Sequence, residues 1–405
     1  MRTSLIRFAL AAAGLTFTVA AVAPLVAGQS PAPAPAAGQP AQPGVRPGAV
    51  MRRPGDGRAP EFPEPTITQY RPRTTLKTAQ HVVPRAKFPV IDVHSHQPTP
   101  ISEDQFATVV KGMDANNLRL LVNASGAQGE RLTRAVAALK ASRFKDRMVQ
   151  FTDIDFRNVG PGWGAKAVAQ LEADVKAGAL GIGEISKAFG LRIRKADGTR
   201  LRIDDPELDP VWDAAGRLGV PVLIHTAEPQ EFFETIDFQN ERWLELALYR
   251  DRRYPAGEFP RFEELMEERN RMFRKHPKTT FIAAHFAYHA NDLTRAAALL
   301  DQMPHVHLEV GAILAELGRQ PRAAREFFVK YQDRILFGKD SFQPDEFPYF
   351  WRVFETNDEY FDYYRDYHAF WKLYGMGLPD DVLKKLYYKN ALRLIPGLPK
   401  EGWPQ

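Results

Sequence analysis

The stretch "IDVHSH" places His94 and His96 one residue apart at the end of an apolar run. In a strand such residues share a face, so both imidazoles can grip one object. Divalent transition metals suit such donors. Further donors recur near the ends of later apolar runs: Glu184 in "LGIGEI", His225 in "VPVLIH", His285 in "TTFIAAH" and Asp340 in "RILFGKD". His94, His96, His225 and Asp340 make a set of three imidazoles and one carboxylate. An ion held this way keeps one position open and lowers the pKa of a bound water to about 7. Asp340 can serve as ligand and as general base for that water. His285 would face it across the site, able to polarise a substrate oxygen or shuttle a proton. Zn2+ is the expected ion and Mn2+ the alternative: one ion, or two if Glu184 bridges.

The fourth run, "GIGEISK", offers both Glu184 and Lys187. A period of two sets Ile182, Glu184 and Ser186 on one face and Lys187 on the other. Glu184 is therefore the better ligand candidate, with a strand-end salt bridge as its plainer use. Lys187 and Arg319 are weaker candidates for contacting an anionic substrate group; Arg319 can equally cap a helix or pair with Glu316. His289 reads as a loop histidine, and His305 and His307 flank the start of the seventh run and read as structural. Glu309 follows that run toward the active face.

Eight apolar runs carry these donors, at residues 88–94, 118–124, 147–154, 180–185, 220–225, 279–285, 305–310 and 334–340. Helix-like stretches at 102–115, 128–143, 164–177, 207–218, 291–302 and 320–331 lie between them. Such alternation predicts a parallel (β/α)8 barrel, whose active site lies at the C-terminal strand ends. A doubly wound sheet is the alternative. Residues 228–275 and 342–372 exceed what a barrel needs, giving a helical insertion after strand 5 and a C-terminal helical extension. Their aromatics either line a pocket or pack the extra helices onto the barrel.

"IDVHSH", "LIHTAEP", "FIAAHF" and "RILFGKDS" together resemble the amidohydrolase superfamily, over most of residues 86–395. The resemblance is to the amidohydrolase-related branch that includes carboxymuconate-semialdehyde decarboxylase and aromatic-acid decarboxylases. It implies a distorted (β/α)8 TIM barrel with a metal at the strand ends. Carried over motif by motif, it makes His94, His96, His225 and Asp340 ligands and His285 the catalytic histidine. Members of the superfamily also place a bridging Glu or a carboxylated Lys at the fourth strand, the position of Glu184.

Arg2 and Arg7 precede an uncharged run from Phe8 to Val26, then small residues, the plan of a secretory signal peptide over 1–28. Residues 29–85, rich in Pro and Ala, read as a tether, and 86–400 as the barrel domain. The expected location is the periplasm or outside the cell, with no stable membrane insertion after processing. Residues 1–85 hold 10 of the 54 Lys+Arg and 3 of the 49 Asp+Glu, so the body carries a net charge of about −2 despite the overall +5. That removes the basic footprint of a nucleic-acid binder. The absence of cysteine excludes thiol chemistry and Cys metal sites. The aromatic-rich extension is a candidate homo-oligomer interface.

The expected function is metal-dependent hydrolysis of a small-molecule amide, ester or lactone by activated water. The alternative is metal-dependent, non-oxidative decarboxylation of an aromatic or unsaturated carboxylic acid. A non-catalytic metal-binding protein is a third reading; it would not need the Asp340 base.

Overall fold

The computed structural model describes residues 66–368 and 370–404. The expected signal peptide and residues 29–65 of the expected tether lie outside the described residues. Each of the eight apolar runs forms one strand: β1 (Val90–Ser95), β2 (Leu118–Asn123), β3 (Met148–Gln150), β4 (Ile182–Ile185), β5 (Val222–Ile224), β6 (Phe281–Ala283), β7 (Val306–Glu309) and β8 (Ile335–Leu336). Their apolar side chains are buried almost throughout, as expected of strands covered on both faces.

Pairing is parallel along two arcs, β1-β2-β3 and β4 through β8. Bridges between Thr152 and Ile182 and between Ser95 and Asp340 join the arcs at both seams. At one seam Gly183 N donates to Thr152 O at 2.8 Å; at the other Asp340 N donates to His94 O at 2.7 Å. The ring closes as a distorted (β/α)8 barrel. Register shifts fall between Asp92 and Ser95 in β1 and between Ile182 and Ile185 in β4. Irregularities of this kind re-aim side chains, and here they span His94 and Glu184. Gly183 has φ +111°, and a Cβ there would run into the Leu223 carbonyl, so the residue before Glu184 must be glycine.

Helices α1 (Glu103–Asn116), α2 (Gly129–Ala141), α3 (Trp163–Ala177) and α4 (Asp209–Leu218) follow the first four strands. The start of α1 is set by a capping box in which Ser102 Oγ accepts from Gln105 N and the Gln105 side chain accepts from Ser102 N. The segment between β5 and β6 holds the short α5 (Trp243–Leu248) and the longer α6 (Phe262–Lys275). In α6, Phe262, Leu265, Met266, Arg269, Met272 and Phe273 form a buried stripe at helical spacing. Helix α7 (Leu293–Gln302) follows β6, while α8 (Leu314–Arg319) and α9 (Pro321–Lys330) follow β7.

Beyond β8 the extension comprises α10 (Phe347–Glu355), the antiparallel pair β9 (Phe361–Asp362) and β10 (Lys372–Leu373), α11 (Asp380–Lys384) and α12 (Asn390–Leu394). Phe347, Phe350, Trp351 and Phe354 are fully buried. Their rings gather on Phe337, just past β8, with Trp351 at 5.0 Å and Phe350 at 5.8 Å between centroids. Most of this aromatic content therefore fastens the extension to the barrel. Residues 70–84 run without helix or strand, and the same extension holds them: His81 N donates to Asp358 Oδ2 at 2.7 Å, and Arg71 lies 3.0 Å from Asp366. Among the described residues, no helix is long and apolar enough to cross a membrane.

Candidate metal centre

The strand-end donors converge. His94 Nε2 lies 3.3 Å from His96 Nε2, 3.4 Å from Glu184 Oε1 and 3.8 Å from Asp340 Oδ1. His96 Nε2 is 3.2 Å from Glu184 Oε2 and 3.5 Å from Asp340 Oδ1. Ligands about 2.0–2.1 Å from a tetrahedral ion lie about 3.4 Å from one another, so these separations fit one ion. On the other side, Glu184 Oε1 is 2.7 Å from His225 Nδ1 and 3.6 Å from His285 Nε2, and those two nitrogens are 3.1 Å apart. Two overlapping groups, His94–His96–Asp340 and His94–Glu184–His285, each bring their ligand atoms within reach of a common ion. Glu184 thus presents Oε2 to His96 and Oε1 to His94, His225 and His285. It stands between two imidazole pairs.

The charges explain why the site suits a cation. Burial pushes the Glu184 carboxyl up, yet His94 and His225 outweigh it and hold the group well below the ordinary carboxylate range. Burial likewise opposes charge on His94, but Glu184 and Glu309 raise it well above the usual imidazole value. His225 is raised to about 9 against burial, chiefly by Glu184. Asp340 is lowered by His94 and His285 despite its burial. The buried carboxylates demand positive charge at this point. Protons on the rings or a divalent ion among them can supply it.

Each donor is held by the local fold. His94 is fully buried, and its main-chain N donates to Asp92 Oδ1 at 3.0 Å. Its Nδ1 lies 3.3 Å from Glu309 Oε1, close enough for attraction but not aligned for a hydrogen bond. Glu309, at the end of β7, also accepts from His285 N at 2.5 Å and from Gly311 N at 2.7 Å. Carboxylates behind ligating histidines orient the ring and raise its basicity. Sequence reasoning gave Glu309 no such role; its place at a strand end was the available signal.

His285, Phe286, Ala287 and Tyr288 follow β6 with φ between +52° and +57°, a left-handed turn without glycine. Each such residue costs roughly 1–2 kcal/mol. Arg269 from α6 braces the turn, donating to Ala287 O at 2.8 Å. The turn brings the rings of His285 and Tyr288 to 5.3 Å, both beside His225. Tyr288 Oη lies 2.9 Å from His225 Nε2 and donates to Glu228 Oε2 at 2.8 Å. Lys187 Nζ donates to the other oxygen of Glu228 at 2.6 Å. Strain of this kind gathers at functional sites. Tyr288 and Glu228 went unnoticed in the sequence.

The remaining candidates are engaged elsewhere. Lys187 is committed to Glu228, and Arg319 to Glu241 rather than to Glu316. His289 is buried beside Arg269, at 3.1 Å from its guanidinium. His305 Nε2 donates to Phe273 O at 2.8 Å, and His307 is buried within β7. His285 combines two positions: it is next to the cavity, as a catalytic histidine would be, and within ligand range of Glu184.

A cavity of about 370 Å³ opens onto the centre, with Glu184, His225, His285 and Asp340 among its lining. The Asp340 side chain is 36% exposed whereas His94 is sealed, so a substrate in the cavity can reach Asp340 but not His94. The insertion contributes Phe232, Arg242 and Arg252 to the lining, and the extension Arg365 and Tyr367. Arg242 joins these parts, bonding Glu245 and Glu316 and lying 2.9 Å from His368 Nε2.

Residues 79–397 match the amidohydrolase family model. No curated protein matches the chain significantly in sequence. Solved structures with a similar course include 5-carboxyvanillate decarboxylase from Sphingomonas paucimobilis, 14% identical with a TM-score of 0.44 over 76% of this chain and 99% of that one. A dihydroxybenzoic acid decarboxylase from Polaromonas with bound manganese is 14% identical, TM-score 0.44, over 76% and 96%. A 4-oxalomesaconate hydratase from Rhodopseudomonas palustris is 14% identical, TM-score 0.44, over 76% and 95%.

Proposed function

This chain belongs to the amidohydrolase family, and from that premise we propose that it is a metal-dependent hydrolase of a small-molecule amide, ester or lactone. The observation that carries the reading is the position of Glu184 between two imidazole pairs, with Oε2 toward His96 and Oε1 toward His94, His225 and His285. That placement supports two neighbouring ions: His94, His96 and Asp340 would hold one, His225 would hold the other, and Glu184 would serve both, with His285 beside them. Zn2+ is the ion this donor set favours, with Mn2+ also suited to it. Bound there, divalent ions supply Lewis acidity toward a carbonyl and ready ionisation of water.

The chain's own residues do the rest. Asp340, open to the cavity and held in its ionised form, takes the proton of the attacking water and returns it to the leaving group. His285, fixed by Gly311 O at 2.9 Å from its Nδ1, turns Nε2 toward the centre, where it can steady a developing oxyanion. Residues of the insertion and the extension line the cavity, which leaves room for a small substrate. The leader at residues 1–28 supports placing this activity outside the cytoplasm.

The second reading is non-oxidative decarboxylation, the reaction named for two of the structures above. Arg365 favours it: it lines the cavity with no carboxylate among the described residues at ion-pair distance, and a guanidinium suits a carboxylate-bearing substrate. Isotopic labelling separates the two. Hydrolysis carries solvent ¹⁸O into the product acid, whereas decarboxylation puts solvent deuterium on carbon without ¹⁸O. Deuterium without ¹⁸O would reject the hydrolase reading.

A further inference from the structure

Five cationic side chains line the cavity: Lys187, Arg242, Arg252, Arg319 and Arg365. Four are neutralised. Lys187 pairs with Glu228 at 2.6 Å, Arg252 with Glu245 at 2.5 Å, Arg242 with Glu245 and Glu316, and Arg319 with Glu241. Arg365 is the exception. Among the described residues no carboxylate lies within ion-pair distance of it, and its guanidinium contacts the Tyr364 ring at 5.5 Å. The nearby acid, Glu346, is engaged by Lys339 at 2.6 Å. Glu231 also lines the cavity without an ion pair, but burial pushes its carboxyl up toward the neutral form.

We propose that Arg365 recognises a carboxylate of the substrate, so that the enzyme acts on small anionic molecules whose carboxylate lies away from the reacting carbonyl. Arg365 and Asp340 line the same cavity, so one small molecule can meet both. A guanidinium presents two parallel donors that match a carboxylate's two oxygens. A partly buried fork left unpaired by the protein is a cost that an incoming carboxylate removes. Because Arg365 sits on the extension, beyond the strand-end motifs, substrate choice and chemistry reside on separate parts of the chain. The reacting carbonyl in this inference rests on the hydrolase reading; the carboxylate contact does not.

Two arms of one experiment separate them. Calorimetric titration of the metal-loaded full-length enzyme compares succinamate with succinamide, and phthalamate with phthalamide, each pair differing by one charge. The carboxylate member of at least one pair should bind about 10- to 100-fold more tightly. Arg365→Gln should abolish that advantage, Arg365→Lys should retain part of it, and neither should lower the melting temperature by more than a few degrees, since among the described residues no carboxylate forms an ion pair with the side chain and Glu346 keeps Lys339. Equal binding within both pairs, or an advantage that survives Arg365→Gln, overturns the proposal. The second arm follows hydrolysis of monoethyl and diethyl succinate, with the monoester favoured through a lower KM that Arg365→Gln raises. Arg365-dependent binding without hydrolysis of either ester, or of either amide, counts against the hydrolase reading and leaves the arginine's role standing.

Discussion

Glu309 Oε1 stands 3.3 Å from Nδ1 of His94, behind the ring, while Nε2 of the same ring faces Glu184 at 3.4 Å. A buried carboxylate thus backs a candidate ligand that is itself sealed from solvent. Glu309→Gln removes the charge while keeping the size and an acceptor for His285 N. Metal affinity should fall about 10- to 100-fold with every ligand still present. Competition with a graded series of chelators measures this, and unchanged affinity would show that Glu309 serves packing alone.

Tyr288 fixes His225 from the opposite side through its hydroxyl at 2.9 Å from Nε2. Tyr288→Phe keeps the ring in the left-handed turn and deletes the hydroxyl's contacts with His225 Nε2 and Glu228 Oε2. Metal affinity should drop about tenfold while the melting temperature changes little. His289→Gln, one residue further along, should leave metal content unaltered because that ring is engaged by Arg269. Elemental analysis after dialysis checks both, and metal loss confined to the His289 variant would reverse the assignment.

His307, buried in β7, should make the barrel acid-sensitive. Burial pushes its pKa down to about 3, while in the unfolded chain it titrates near 6.5. Below pH 6.5 the unfolded state takes up a proton that the native state refuses, so stability falls as pH drops toward 3. This group contributes a slope of at most about 1.4 kcal/mol per pH unit. His307→Gln should flatten that part of the curve. Urea unfolding at pH 7, 6, 5 and 4 provides the comparison, and an identical slope in both proteins would exclude His307 as the source.

The sequence revealed the barrel because its strands are short apolar runs buried on both faces, several with a polar residue at or just past the end. "FPVIDVH" and "TTFIAAH" advertise both burial and a strand end. His94, His96, Glu184, His225, His285 and Asp340 were legible for the same reason: position along each run sets height in the barrel. Tyr288 was not, because nothing in "HFAYH" marks four consecutive left-handed residues; Arg269, nineteen positions upstream, braces that turn. The pairings of Lys187 and Arg319 were also hidden, as was Arg365's lack of a carboxylate within ion-pair distance among the described residues, since each depends on which carboxylates the loops bring near. The aromatic extension announced itself by composition, but its choice of packing over pocket lining rests on Phe337, at the barrel's last strand.

The account turns on Glu184 standing between two metal positions. Metal content per chain, measured on protein loaded with Zn2+ or Mn2+ and then desalted, tests it most directly when wild type and Glu184→Gln are compared. The account predicts two equivalents in the wild type and about one in the variant, with both proteins folded by circular dichroism. A single equivalent in the wild type, unchanged by Glu184→Gln, would contradict it.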